Sequence, residues 1–288
     1  MPNTTRRLGA SLVLAYIFAG SMPAAAQSPD ASSTPVSHSE GATHVVLRMD
    51  TGGGFVPITY RLTQAPEFTL YGDGTVVFRP SADPEGDGLP PFVQATMHQA
   101  EMDALVLYAL DPGGLRDARE AYQHRQITDQ PTTVFSIDAE GVDKSVAVYA
   151  LGLTQPEGDD AAAYEGFQAL GAVLSDFGQQ VASGHAQDPQ PYQPTDYRAF
   201  LSPALDPGVT AIPWPWPDLA IDDFQPHAAD EGVLFGGLTP EQAAHVTRVP
   251  SGGVLAMPIQ APHGTPVTLT LRPLLPGESV DPAAPSAP

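Results

Sequence analysis

The sequence predicts an α+β protein: antiparallel hairpins covered by one or two helices, followed by a smaller Pro-rich α+β C-terminal region. Three observations carry the prediction. Short β-branched runs flank Gly- and Asp-containing turns, which is the hairpin signature. One long stretch repeats apolar residues at helical spacing. The 288 residues include 27 Gly and 32 Pro, about a fifth of the chain against a usual share of roughly 12%, so long regular elements are few. A hydrophobic fraction of 42% is enough for folded cores and confines disorder to segments.

The elements follow in order. His44 to Met49 (HVVLRM) and Val56 to Leu62 (VPITYRL) read as two strands joined by the breaker cluster Thr51-Gly52-Gly53-Gly54. Phe68 to Tyr71 and Thr75 to Phe78 flank Gly72-Asp73-Gly74, where Gly supplies the positive φ of a tight turn, and form the best hairpin. Thr96 and Gln99 fit a capping box ahead of a helix over Ala100 to Leu110, which Asp111-Pro112-Gly113-Gly114 ends. Thr132 to Ile137 and Ser145 to Ala150 bracket a second hairpin turn at Asp138-Ala139-Glu140-Gly141. Asp160 to Val181 is the longest helix, with Phe167, Leu170, Leu174, Phe177 and Val181 on one stripe that covers the sheet of its own domain. Beyond it come a short helix near Asp196 to Leu201, a Pro-rich crossing and a helix capped by Thr239-Pro240-Glu241-Gln242. Strands at Val254 to Ile259 and Val267 to Leu271 complete the series.

These elements divide the chain into a signal peptide (1–26), a disordered tether (27–43), an α+β domain (44–182), a Pro-rich linker (183–195), a smaller C-terminal α+β region (196–276) and a disordered tail (277–288). The signal peptide is read from Arg6-Arg7, the apolar run Leu8 to Ala19 and the small triplet Ala24-Ala25-Ala26, with cleavage after Ala26. The apolar run is shorter than the roughly 20 residues a spanning helix needs. The Arg pair also admits twin-arginine export. The expected location is therefore secreted or extracytoplasmic.

The segments TGGGFVP (51–57), FTLYGDGTVVF (68–78), VYALG (148–152) and LRPLLPGE (271–278) resemble those of a group of exported bacterial proteins of uncharacterised function. The resemblance implies a two-part exported architecture and carries no activity. Some members of that group look like lipoproteins with a Cys at the cleavage site, where this chain has Gln27, so the resemblance does not imply a lipid anchor here.

Composition excludes several functions. The net charge is −21, with 12 basic and 33 acidic residues, so nucleic acids and anionic membrane surfaces are repelled. There is no Cys, which removes disulfides, thiolate nucleophiles and Cys-ligated metals. Lys144 is the single Lys, and neither a Gly-x-Ser-x-Gly elbow nor a phosphate-binding Gly loop ending in Lys is present.

Three motifs carry candidate chemistry. Asp50-Thr51-Gly52 after an apolar run matches the aspartic-protease pattern, in which two carboxylates share a proton to activate water; the chain has no second copy, and a plain strand-to-turn transition is the competing explanation. Asp83, Glu85 and Asp87 before Gly88 copy the first half of a calcium loop, but the twelfth position is Gln94 and Pro90-Pro91 interrupt the loop. Trp214 and Trp216 sit in an extended Pro-Trp-Pro-Trp-Pro segment, either as an aromatic platform for ligand or as packing that pins the second region onto the first. The eight His show no i, i+4 metal spacing. The sequence thus points to a non-catalytic binding or interaction module of the envelope or extracellular space, whose partner is a protein or glycan. An extracytoplasmic hydrolase using Asp50 is the alternative.

Overall fold

The computed structural model describes residues 35–81, 91–123, 127–153, 160–204, 210–246 and 255–281, all within the compact unit Pro35–Pro288. The signal peptide lies outside the described residues, as do Asp83, Glu85 and Asp87.

The described residues form a mixed α+β structure with two sheets and five short helices. The elements in chain order are β1 (Val45–Gly53), α1 (Ile58–Thr63), β2 (Phe68–Tyr71), β3 (Thr75–Phe78), β4 (Val93–Thr96), α2 (Gln99–Leu110), β5 (Ala121–Tyr122), β6 (Pro131–Ala139), β7 (Val142–Tyr149), α3 (Ala161–Ser175), α4 (Phe177–Ala182) and β8 (Gln187–Pro191). They continue with β9 (Tyr197–Pro203), β10 (Ile212–Pro213), a 3-10 turn at Ile221–Asp223, β11 (Gln225–Pro226), β12 (Leu234–Leu238), α5 (Pro240–Ala244), β13 (Leu255–Gln260) and β14 (Pro266–Pro273). The first sheet runs β5-β7-β6-β1-β2-β3-β4-β8 and the second β10-β13-β14-β9-β12-β11. All pairings are antiparallel except β5 with β7 and β10 with β13.

Both sequence-predicted hairpins form. In the first, Gly74 has φ +82° and Thr75 N donates to Asp73 Oδ1 at 2.9 Å. Gly72 is required for a different reason: a Cβ there would lie 2.1 Å from Ser39 O, because residues 39–41 pass directly over the turn. In the second, Ala139 pairs with Val142 across a two-residue turn whose residues Glu140 and Gly141 both have positive φ, the conformation that matches strand twist.

Alternation along β1 to β3 divides the first sheet into two faces. Leu47, Met49, Phe68, Leu70, Val76 and Phe78 join one buried core with Met102 and Val106 of α2 and Phe167, Leu170 and Leu174 of α3. The opposite face carries Arg48, Asp50, Tyr71 and Val77; there Tyr71 and Val77 pack with Phe92 and Leu275. The second sheet has its own core around Ala199, Leu201, Trp216, Leu269 and Ile259.

Several elements differ from the sequence expectation. Residues 56–62 were expected as a strand, but Ile58–Thr63 is helical. Ile58 and Leu62, one helical turn apart, pack on Phe200 of β9 and on Val233 just before β12, so tertiary contact selects the 3.6-residue period. The expected helix at 196–201 is strand β9. It lies between β14 and β12, with Ala199 and Leu201 in one core and Phe200 in another on the opposite side; a strand covered on both faces loses the alternation that would mark it. Helix α2 starts at Gln99 with His98 as cap and no side-chain capping bond, because Thr96 is engaged in β4. The long helix is broken at Asp176 into α3 and α4. Thr239 and Gln242 do form the expected capping box, at 3.2 and 2.9 Å.

The segments between and beside the expected domains take part in the packing. Val36 is buried in the first core and Ser37 O accepts from Glu140 N at 2.7 Å, within the stretch expected as tether. Residues 183–195 include β8, paired with β4. Glu278, in the stretch expected as tail, is held in a buried ion pair.

Candidate functional site

The polar face of the first sheet meets the chain that leaves β14, and the charges there are concentrated and dry. Arg272 Nη1 and Nη2 donate to the two carboxylate oxygens of Glu278, both at 2.8 Å, with side-chain exposures of 5% and 8%. Leu275 N adds a third bond to Glu278 at 2.9 Å. Burial pushes the Glu278 carboxyl up, but the Arg272 bonds and charge outweigh it and hold the group below its ordinary value. Arg272 Nε donates to Gln64 O at 2.7 Å, and Tyr192 Oη to Leu274 O at 2.7 Å. Burial, together with the like charge of Arg272, lowers Arg198 to about 10. Burial first, and the Glu278 charge second, raise Tyr192 to about 12.

Asp50 belongs to this cluster. Burial raises its pKa against the opposing charges of Arg272 and Arg48, and its Oδ1 is buried with no hydrogen-bond partner. The hydroxyl of its neighbour Thr51 pairs with that of Thr133, Oγ1 to Oγ1 at 3.3 Å.

A pocket of about 190 Å³ opens beside the cluster. Its walls come from the end of β1 (Thr51), from α1 and its exit (Tyr60, Thr63, Gln64, Ala65), from the residues flanking β2 and β3 (Glu67, Arg79, Pro80, Ser81) and from Ser175 at the end of α3. Local structure fixes each wall. Glu67 N donates to Met49 O at 2.9 Å and Arg79 N to Glu67 O at 2.8 Å, which sets the two charged residues side by side at the sheet end. The Arg79 guanidinium lies 4.1 Å over the Phe92 ring. Thr63 Oγ1 donates back to Thr59 O and Tyr60 O, at 3.0 and 2.9 Å. Ser81 Oγ donates to Asp176 Oδ1 at 3.1 Å. Burial raises the Glu67 carboxyl, a Thr51 hydrogen bond opposes this, and the Asp50 charge adds to the rise. Burial lowers Arg79, and Glu67 works against that lowering.

The residues singled out in the sequence are dispersed. Asp50 stands under the charges of Arg272 and Arg48 and is not one of the pocket's lining residues. Trp216 is buried and its Nε1 donates to Gln242 O at 2.8 Å; Trp214 Nε1 donates to Leu219 O at 2.7 Å. The two rings meet edge to face, 5.0 Å apart, within the core of the second sheet. Trp216 is part of the core of the second sheet and Trp214 packs against it, partly buried. Among the described residues no group of three His, Asp or Glu is placed to hold a metal ion, and no helix is long and apolar enough to cross a membrane.

Sequence reasoning missed Glu67, Arg79, Gln64, Tyr60, Arg272 and Glu278. One signal was available: in a chain with only 12 basic residues, Arg48, Arg79, Arg198 and Arg272 stand in or against apolar strand runs, where an unpaired cation is costly. Comparison with known proteins adds no further assignment, since no protein family, curated protein or solved structure matches the chain.

Proposed function

We propose that the chain is an exported, non-catalytic binding module of the cell envelope or extracellular space, related to the exported bacterial group it resembles, and that it takes a small polar ligand in the pocket beside α1. The observation that carries this reading is the convergence of Glu67 and Arg79, both largely withdrawn from water, on one open pocket with Thr51, Gln64 and Tyr60. Few convergent polar groups in a concave site are what fix a ligand's orientation. Export rests on the Met1–Ala26 pattern, and the exclusion of nucleic acid on the net charge of −21.

Saturation-transfer NMR on the purified chain, with mixtures of neutral sugars, amino acids and dicarboxylates, tests the pocket. Transfer to at least one class, weakened by Glu67→Gln, is expected. Silence from every class, or binding that Glu67→Gln leaves unchanged, overturns the reading.

A second reading, hydrolysis with carboxylates, is favoured by one observation: Asp50 and Glu67 are both raised by burial, and the Asp50 charge raises Glu67 further. Two neighbouring carboxylates raised by burial, one raising the other, form the kind of arrangement that acid–base chemistry uses. In that reading Glu67 meets the substrate and Asp50 tunes it. Turnover of any ester, peptide or glycoside substrate that survives Asp50→Asn unchanged removes Asp50 from it.

A further inference from the structure

We propose that the ligand of this pocket is a neutral polyhydroxyl unit, a single sugar residue of a glycan, bound between the Glu67–Arg79 pair and the Tyr60 ring. The inference rests on the binding reading above and names the ligand class for the same site.

The lining supplies both halves of the hydrogen bonding that a vicinal diol needs. Glu67 offers acceptor oxygens, Arg79 offers donors in a planar fork, the Gln64 amide offers both, and the Thr63 and Ser81 hydroxyls, whose protons are held by α1 carbonyls and by Asp176, offer acceptor lone pairs. A sugar hydroxyl is simultaneously donor and acceptor, so adjacent hydroxyls can bridge a carboxylate and a guanidinium without leaving either unmatched. Amino acids and dicarboxylates fit less well. Glu67 and Arg79 are adjacent and each acts on the other's ionisation, so the pair is internally compensated. A charged ligand would pull one member away and leave the other partly buried and unpaired. Anions also meet the long-range repulsion of a chain carrying −21.

Size and shape agree with this class. The pocket holds about 190 Å³, below the roughly 300–1,000 Å³ of sites for drug-sized ligands, which suits one ring of a sugar. Tyr60 is 38% exposed on the short helix α1, an aromatic surface at a pocket wall; sugar C–H faces lie against such rings, which present large area at low entropic cost. The walls are preformed: Arg79 is packed over Phe92, Thr63 is bonded to α1 and Ser81 to Asp176. Little ordering is left to oppose binding.

The test is a titration of glucose, galactose, N-acetylglucosamine and their methyl glycosides, read by saturation-transfer NMR and calorimetry. Glycine, glutamate and succinate form the charged panel. At least one neutral sugar is expected to bind, with affinity equal at low and physiological salt, and weakened about tenfold or more by Tyr60→Ala and by Glu67→Gln. Tyr60 is part-exposed and Gln is near-isosteric with Glu, so both variants should keep the wild-type unfolding midpoint; a variant that does not is replaced by Thr63→Val, judged by the same criterion. Charged ligands that bind at this pocket while sugars do not would overturn the ligand class and leave the pocket reading standing. Absence of binding by both panels would overturn both.

Discussion

Replacing Glu278 by Ala removes one half of a bidentate ion pair whose members are 5% and 8% exposed. The consequence is governed by what remains: the Arg272 cation, still donating to Gln64 O, with its hydrogen-bonded carboxylate gone, only the charge of Asp50 acting on it, and little water. Uncompensated charges of this kind cost about 3–5 kcal/mol. For a folded unit of this size each kcal/mol moves the midpoint by about 2–4 °C, so a fall of about 6–20 °C is expected. Calorimetry at pH 7 with urea unfolding in parallel measures it. Because the Glu278 pKa is depressed, its stabilisation is fully present above the ordinary value of 4.5 and is lost as the pH falls through the lower folded value. The gap between wild type and variant should therefore close on acidification below 4.5. Glu278→Gln, which keeps an acceptor for Leu275 N, should fall less far. A Glu278→Ala midpoint within about 1 kcal/mol of wild type at pH 7 would refute the claim that this pair fastens the chain after β14 back onto β14, since exposed pairs are worth only that much.

Asp50→Asn should act in the opposite sense. The Asp50 pKa is raised, so its ionisation opposes folding above the folded value and costs nothing below 3.8; the Asn variant should melt higher than wild type at pH 7 and lose that advantage towards pH 4 in a pH series of melting curves. Gly72→Ala forces a Cβ to within 2.1 Å of Ser39 O, which should cost roughly 1–3 kcal/mol. The same change should selectively speed hydrogen exchange at the Glu140 amide, which bonds Ser37 O. Trp216→Ala empties a buried aromatic site and should cost about 3–5 kcal/mol, whereas Trp216→Phe, losing chiefly the Nε1 bond to Gln242 O, should cost about 1 kcal/mol in the same urea titration.

The fold was legible where local chemistry decides it. The turn at Gly72-Asp73-Gly74, the Asp138 to Gly141 hairpin and the Thr239 capping box each state their structure within four residues, and each forms. It was illegible where a distant partner decides. Residues 56–62 carry β-branched and aromatic side chains in a pattern that serves a strand, yet Phe200 and Val233 select a helix. β9 is central and covered on both sides, so its apolar run has no period to read. The candidate site failed to show for the same reason: Thr51, Glu67, Arg79 and Ser175 span more than a hundred residues and share no motif. The segments that carry the resemblance did hold Thr51, Tyr71, Arg272 and Glu278, but as short turn-and-strand pieces they gave no reason to expect that these polar groups face one another.

The buried pair and the pocket are mechanically one assembly, which accounts for charge being placed where apolar packing would have been cheaper. Gln64 is both a pocket wall and the residue that ends α1. Its carbonyl is held by Arg272, and Arg272 is oriented by the two-pronged contact with Glu278. Arg61, one turn earlier, is tied to Asp230 in the turn between β11 and β12, and Ile58 and Leu62 pack on Phe200 of β9 and on Val233 just before β12. A six-residue helix has too few internal hydrogen bonds to persist alone, so α1, and with it Tyr60 and Thr63, stands where it does because β14, β9 and the segment before β12 grip it. An apolar replacement for Arg272 and Glu278 of equal volume could restore stability, yet it would offer no donor to the Gln64 carbonyl. A planar, directional cation at position 272 fixes the orientation of the pocket wall, and that positional role gives a physical reason for burying an ion pair at the junction.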